Sequence, residues 1–307
     1  MDRRAAWILG LVFGGLFLCL FAFLALAWAA VNAGKSGSFA RGDRVGVVEV
    51  TGVIADGKTT LKELRDFAEN DGIRAIVVRV DSPGGAVGPS QEIYEGIQSL
   101  RAKKHVVVSM GSVAASGGFY IACAGEKVFA NPGTLTGSIG VIAQFPNVTG
   151  FLHWAGIGMQ TITAGKMKDV GSPFREMTPE ERAYLQSTLA DVHEQFIGAV
   201  ASGRSLSEDD VRKFADGRVF TGRKAKELKL VDELGGLQDA VRAAGKLAGI
   251  RGEPRIEYPR KERPLVRELF GEDASTAVSG LAARMGEVMG RPGFQFLMPW
   301  VDGVGEP

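Results

Sequence analysis

The sequence predicts an α/β domain on a largely parallel sheet, preceded by one N-terminal transmembrane helix. Three observations carry that prediction. From Arg44 onward, short runs rich in Val and Ile alternate with segments of helical period, the pattern of βαβ units. Two of the runs, 75–80 and 106–110, are apolar almost without break, as strands covered on both faces are. Ahead of them, residues 5–34 carry no charged side chain, whereas about 20 apolar residues suffice to cross a bilayer core.

Arg3 and Arg4 precede the uncharged run. The positive-inside rule therefore makes 1–34 a cytoplasmic N-terminus and anchor, with the rest of the chain on the extracytoplasmic side of the plasma (inner) membrane. Ala30-Val-Asn-Ala33 resembles the cleavage site of a secretory signal. The apolar part of such signals runs only about 7–15 residues, however, so an uncleaved anchor is expected. Residues 35–43, rich in Gly and Ser, read as a flexible linker.

The domain proper is expected over 44–250. Its elements are a strand at 45–53, a helix at 60–70, a strand at 75–80, a helix at 88–103, a strand at 106–110 and a helix over 114–124 that opens near Ser116. Strands follow at 127–130, 138–143 and 159–163, with a helix at 148–155 before the last. Thr178-Pro-Glu-Glu181 announces a long helix over 178–201, with Thr as N-cap, Pro at N1 and Glu at N3. Shorter helices are expected near 207–215, 222–229 and 237–248. Residues 251–307 mix charge with proline and end near the apolar stretch 294–300, which reads as a tail or as a segment that docks on a neighbouring subunit.

At 307 residues and 45% apolar content the chain can bury one substantial core. Its 36 basic side chains nearly balance 35 acidic ones, so no global field recruits nucleic acid. Cys19 and Cys123 are the only cysteines, too few for a disulfide framework or a thiolate metal cluster within one chain. Neither a cofactor nor a metal is called for.

Two loops follow two buried strands: Asp81-Ser-Pro-Gly-Gly85, and the stretch MGSVAASGGFYIA at 110–122. Ligands of open α/β sheets sit at the carboxyl ends of strands. Taken singly, Pro-Gly-Gly is an ordinary turn and Ser116 an ordinary N-cap. Acyl transfer, however, needs a nucleophile together with backbone donors aimed at an oxyanion. Ser116 with the N–H of Gly117 and a glycine N–H from the first loop, Gly84 or Gly85, would supply that set. The usual base is harder to find. Of three histidines, His105 begins the strand that leads to Ser116 and so lies at its wrong end, while His153 and His193 fall in helical segments. There is no Gly-x-Ser-x-Gly, Ser-x-x-Lys or His-Glu-x-x-His motif. A lysine, whose amine ordinarily titrates near 10.4, can serve near neutral pH if burial favours its uncharged form by roughly 4 kcal/mol. Lys166 and Lys168, in a loop with Gly, Ser and Pro, are the candidates.

Five ordered segments, DSPGG at 81, GSVAASGGFYIA at 111, TLTGSIGV at 134, AGKMKDVGSPFREMT at 164 and DGRVFTGRKAKELKLVDELGG at 216, resemble the signal peptide peptidase A family, also called protease IV, in its short single-copy form. The resemblance runs over about 45–248. It implies a Ser–Lys dyad serine endopeptidase on a crotonase-like, Clp-protease-related fold of repeated ββα units. It places the nucleophile at Ser116, the general base at Lys168, a lysine-orienting hydroxyl at Ser138, and the oxyanion donors at Gly117 and the glycine pair, Gly85 ahead of Gly84. Related Clp proteases carry a histidine about two dozen residues after the serine, where this chain has Val141. The resemblance further implies a ring-shaped homo-oligomer whose dyad is shared between protomers, and signal-peptide remnants as substrates. Rival readings are a related membrane protease acting on stomatin-like partners, an acyl-CoA-binding crotonase-fold protein, and a non-catalytic membrane scaffold.

Overall fold

The structure is a computed structural model that describes residues 44–260, the strand Gln295–Leu297 and the single position Phe21. The chain divides after Gly42 into two units, and the second, Asp43–Pro307, contains the sheet and its helices. The anchor expected over 1–34 and the linker over 35–43 lie, Phe21 apart, outside the described residues. Among the described residues no helix is long and apolar enough to cross a membrane.

Strands β1 (Arg44–Thr51), β2 (Ile73–Ser82) and β4 (His105–Ala115) pair in parallel and form the centre of an eight-stranded sheet. Helices α1 (Lys58–Glu69) and α2 (Val87–Leu100) make the crossovers between them. The far edge of β4 is shared. Its first half, at Val107–Ser109, pairs with β5 (Lys127–Ala130), and its end, at Val113–Ala115, pairs with β6 (Leu135–Gly137). The antiparallel strand β7 (Val219–Thr221) flanks β6, while β8 (Glu233–Leu234) flanks β5 and β9 (Arg255–Glu257) flanks β1. The fold is thus mixed α/β with a parallel-rich sheet.

The period-2 alternation of the strands divides the core into two layers. Val48, Val50, Ile76, Val78, Val80, Val106 and Val108 pack on one face, with α1, α2 and the short helix α3 (Gly117–Ala122). Val45, Val47, Ala75, Val77 and Val107 pack on the other, against Ala240, Val241 and Ala244 of α8 (Leu237–Leu247). Covering on both faces is why the central strands read as unbroken apolar runs. The long helix α5 (Pro179–Arg204) begins as its sequence predicts: Thr178 Oγ1 accepts from Glu181 N–H at 3.2 Å, and the Glu181 carboxylate accepts from Thr178 N–H at 2.9 Å. Short helices α4 (Thr149–Trp154), α6 (Glu208–Arg212) and α7 (Gly222–Glu227) complete the set.

Three expectations are corrected. The helix expected from 114 opens only at Gly117, because Ala114 and Ala115 still pair with Thr136 and Gly137. The strand expected over 138–143 lies instead at Leu135–Gly137, because Gly137 and Ser138 take positive φ values of 79° and 50° that end extended backbone. The strand expected over 159–163 does not form: the stretch Met159-Gln-Thr-Ile-Thr163 runs over the surface, with Ile162 96% exposed, and meets no strand edge among the described residues. The strand Gln295–Leu297 (β10) was not expected. It pairs antiparallel with β3 (Gly84–Ala86) in a separate two-stranded sheet.

Candidate active site

Parallel pairing of β2, β4 and β6 delivers three loops to one place, at the carboxyl ends of these strands. Ala115 of β4 stands opposite Gly137 of β6, so Ser116 and Ser138 each lie one residue beyond a paired position. The Ser116 N–H donates to the Gly137 carbonyl at 2.8 Å, and the Ser138 N–H to the Arg218 carbonyl at 2.9 Å. Both serines hold positive φ, 52° at Ser116 and 50° at Ser138, a conformation that costs a non-glycine residue about 1–3 kcal/mol. At Ser116 it forms a sharp strand-to-helix turn between Ala115 and Gly117, without a Gly-x-Ser-x-Gly motif around it. The Ser116 hydroxyl is buried, with no hydrogen-bond partner among the described residues. A buried polar group left unpaired is costly and uncommon.

The small residues around Ser116 answer to close packing. A Cβ on Gly117 would lie 2.6 Å from Ser90 Oγ, 3.2 Å from Gly85 N and 3.3 Å from Gly84 Cα. A Cβ on Gly118 would lie 2.8 Å from the Ser82 carbonyl. The structure therefore brings Gly117, Gly84 and Gly85 together beside Ser116. As the first residue of α3, Gly117 has no intrahelical acceptor for its N–H.

Hydrogen bonding distinguishes the two glycines of the first loop. The Gly84 N–H donates to Ser82 Oγ at 3.1 Å. On one edge of β3, Ile54 N–H donates to the Gly84 carbonyl at 2.9 Å and Ala86 N–H to the Ile54 carbonyl at 2.8 Å. Strand alternation then turns the N–H of Gly85 to the opposite edge, toward the Gly117 side. Gly84 takes φ +107°, open to glycine, and a Cβ on Gly85 would fall 2.1 Å from the Ile54 carbonyl.

Further residues support this frame that sequence reasoning missed. Asp81 Oδ1 accepts from Val113 N–H at 3.0 Å, and Gly111 is bare because a Cβ there would lie 2.4 Å from the Asp81 carboxyl. Thr134 and Thr136 donate to the Gly111 and Ala114 carbonyls at 2.7 and 2.6 Å. These side chains pin the last stretch of backbone before Ser116, and the signal available was only their place in the DSPGG and TLTGSIGV segments.

Lys168 is not brought to Ser116 within the chain. It sits exposed on an arm between Ala143 and Met177, its backbone N–H in a turn to the Gly165 carbonyl at 3.1 Å. Among the described residues its amine makes no ion pair. Lys166, by contrast, pairs with Glu180 at 2.7 Å. The turn carrying Lys168 is clamped to the start of α5: Arg175 Nε donates to Asp169 Oδ2 at 2.7 Å and Arg175 Nη1 to Glu181 Oε2 at 2.9 Å. The bonds from Arg175 hold the Glu181 carboxyl down at about 2.

The histidines take ordinary or incomplete places. His105 bonds Glu126 at 2.8 Å at the start of β4, far along the strand from Ser116. His193 of α5 lines a cavity of about 490 Å³ with Ser138, Val141, Leu189 and Asp216, and its Nε2 is buried without a partner among the described residues.

Two family models match. Peptidase family S49 matches residues 98–251, and Clp protease matches residues 47–136. A protein of Synechocystis named as a protease is 45% identical over 235 residues, which is 75% of this chain and 84% of that protein. Protease 4 of Salmonella typhi is 33% identical over 250 residues, 78% of this chain but 40% of that longer protein. A protein of Enterococcus faecium named for the signal peptide peptidase SppA is 32% identical over 225 residues, 69% of this chain and 65% of that protein. With the loops of Ser116 and Ser138 inside the matched span, the chain belongs to peptidase family S49, the signal peptide peptidase A (protease 4) family, and is a serine peptidase.

Proposed function

We propose that this chain is a membrane-anchored endopeptidase in which Ser116 is the nucleophile and Lys168 of a neighbouring copy its base. The observation that carries the reading is the Ser116 hydroxyl: buried, without a hydrogen-bond partner among the described residues, and held on a strained turn beside two convergent amides. An uncharged Lys168 amine entering from another protomer would accept its proton as Oγ attacks the peptide carbonyl. The N–H groups of Gly117 and Gly85 would bind the resulting oxyanion, with Gly84 excluded by its bond to Ser82. The lysine then returns the proton to the leaving amine, and water hydrolyses the acyl ester on Ser116. Ser138, one step beyond the same strand pair, would orient the amine.

A shared site is supported by the arm itself. It carries Lys168 together with exposed Phe151, Trp154, Ile157, Met159 and Ile162, with Trp154 82% exposed. Contiguous exposed apolar side chains mark an interface, and a closed ring of copies would bury each arm on its neighbour. The uncharged run 5–34 supports the anchor, and an anchored enzyme of this family suits signal-peptide remnants as substrates.

The test mixes two inactive variants. Ser116→Ala and Lys168→Ala should each abolish hydrolysis of an internally quenched peptide. Random co-assembly of the two should restore about one quarter of the wild-type sites, since only a Lys168→Ala protomer beside a Ser116→Ala protomer joins both intact groups. No recovery in verified mixed assemblies would place both groups in one protomer and reject the shared site. Because His193 lines the cavity beside Ser138, His193→Ala is the companion variant. It should retain activity, and its loss alongside an active Lys168→Ala would make histidine the base.

A further inference from the structure

Every strand of the eight-stranded sheet except β7 runs the same way. One end of the domain therefore gathers the starts of β1, β2, β4, β5 and β9 with the ends of α1, α2 and α8, the helices that lead into β2, β4 and β9. This amino end is basic. Arg74 stands at the start of β2, Lys103 just before β4 and Lys246 in the last turn of α8, while Arg251 and Arg255 lie on the way into β9. All five side chains are exposed, and none makes an ion pair among the described residues. The carboxylates of the same end are mostly engaged: Glu257 with Arg44 at 3.2 Å, Glu253 with Arg242 at 3.2 Å and Glu126 with His105 at 2.8 Å, which leaves Glu69 and Asp71. A cation with a structural task at this end looks different. The Lys104 ammonium donates to the Phe67 and Asn70 carbonyls at 2.8 and 2.6 Å and closes the end of α1; the five make no such bond. Over the whole chain 36 basic side chains nearly balance 35 acidic ones, so the excess is a property of this end alone.

We infer that the amino end of the sheet is a docking surface for anionic lipid headgroups, with Arg74, Lys103, Lys246, Arg251 and Arg255 facing the phosphates. The inference rests on the reading of 5–34 as a membrane anchor. On that reading the linker 35–43 leads from the bilayer into Arg44, the first residue of β1, and as a Gly- and Ser-rich coil it spans only about 15–18 Å. The tethered end and the basic end are thus the same end. A tether of that length keeps the cations within reach of headgroups, where each adds about fivefold to the affinity for an anionic surface. A second copy of the chain is the weaker partner, because a two-fold contact through this end would set its cations against themselves. Ser116 and Ser138 follow the opposite ends of β4 and β6. Along β4, from His105 to Ala115, the separation is about 35 Å. Docking by the amino end would therefore hold the catalytic turn clear of the bilayer, and a peptide would have to leave the membrane before Ser116 could cut it.

The experiment uses the full-length chain in nanodiscs of phosphatidylcholine alone or mixed with phosphatidylglycerol. Acetylation of Lys103 and Lys246 is followed by mass spectrometry, with Lys58, which opens α1 at the opposite end, as the internal standard. Both lysines should react at least about fivefold more slowly beside phosphatidylglycerol, the effect of a single cation at an anionic surface, while Lys58 reacts equally in the two lipids. The difference should close at about 1 M salt, where the Debye length is about 3 Å. A chain carrying Arg74→Glu, Arg251→Glu and Arg255→Glu should react alike in both lipids with kcat unchanged. Equal rates for the wild type, in a chain that floats with phosphatidylcholine vesicles, would overturn the docking surface and leave the anchor standing. Slow rates in both lipids and in detergent micelles would assign the surface to a second copy and overturn it equally. A chain that fails to float with those uncharged vesicles would instead remove the anchor on which the inference depends.

Discussion

Gly85 and Gly117 meet across a gap that admits no side chain, and this sets what can be changed beside Ser116. A methyl on Gly85 would lie 2.1 Å from the Ile54 carbonyl, a backbone atom that cannot swing aside. The strand must therefore shift, and with it the Gly85 N–H. Gly85→Ala should lower kcat by about 10²-fold or more, as losing one oxyanion donor does, with the melting temperature also reduced. Gly88, the second residue of α2, has nothing within 4 Å of the point where a methyl would sit, so Gly88→Ala should leave kcat intact and serve as the control. Equal activity of the two variants in a steady-state assay would remove Gly85 from the chemistry. The glycine pair was legible as a loop that lets backbone approach, but the choice between its members was not. That choice depends on Ser82 Oγ taking the Gly84 N–H and on Ile54 lying along one edge of β3, contacts no spacing announces.

The arm between Ala143 and Met177 joins what was easiest to read to what was hardest. Thr178-Pro-Glu-Glu181 reads as a helix start, and the capping box forms as expected. The partner that makes Glu181 more than a cap is Arg175, which also holds Asp169, next to Lys168. No periodicity links those three residues. The expected strand at 159–163 failed for a related reason: Met159, Ile162 and the β-branched Thr161 and Thr163 suit a strand, but within the described chain the stretch stays exposed and pairs with no edge. Arg175→Ala should release the lysine turn, cutting kcat/KM about tenfold or more while shifting the melting temperature little, because an imprecisely held catalytic group is felt in the rate before the core is affected. The clamp should also respond to acid with a definite sign. Arg175 holds the Glu181 carboxyl down at about 2, below its ordinary value of about 4.3. Its contribution is therefore complete above that ordinary value and is lost as pH falls through about 2. Amide exchange over 164–178, corrected for its intrinsic pH dependence, should show protection fading in that window. Protection that persists unchanged at still lower pH would mean that another contact holds the turn.

Across the whole domain, β4 does two jobs at its two ends. Its first half, Val107–Ser109, pairs with β5, and its last residues pair with β6 and lead into Ser116. The β5 end is tied to the long helix by Asp232, whose Oδ2 accepts from Val128 N–H at 2.7 Å and whose Oδ1 pairs with Arg204 at 2.7 Å. The Arg204 side chain is only 5% exposed, so a charge left there without its carboxylate has little water to turn to. Asp232→Asn keeps an acceptor for Val128 but removes the countercharge, and should cost about 2–3 kcal/mol. In a domain of this size that corresponds to a fall of about 5–10 °C in Tm. Because the tie acts on the β5 half of β4, kcat at temperatures where the variant remains folded should match the wild type. Thermal unfolding followed beside hydrolysis decides the point: a lower Tm with an unchanged kcat keeps stability and chemistry at opposite ends of one strand, whereas a parallel fall in kcat would show that the packing beneath β5 reaches the turn at Ser116.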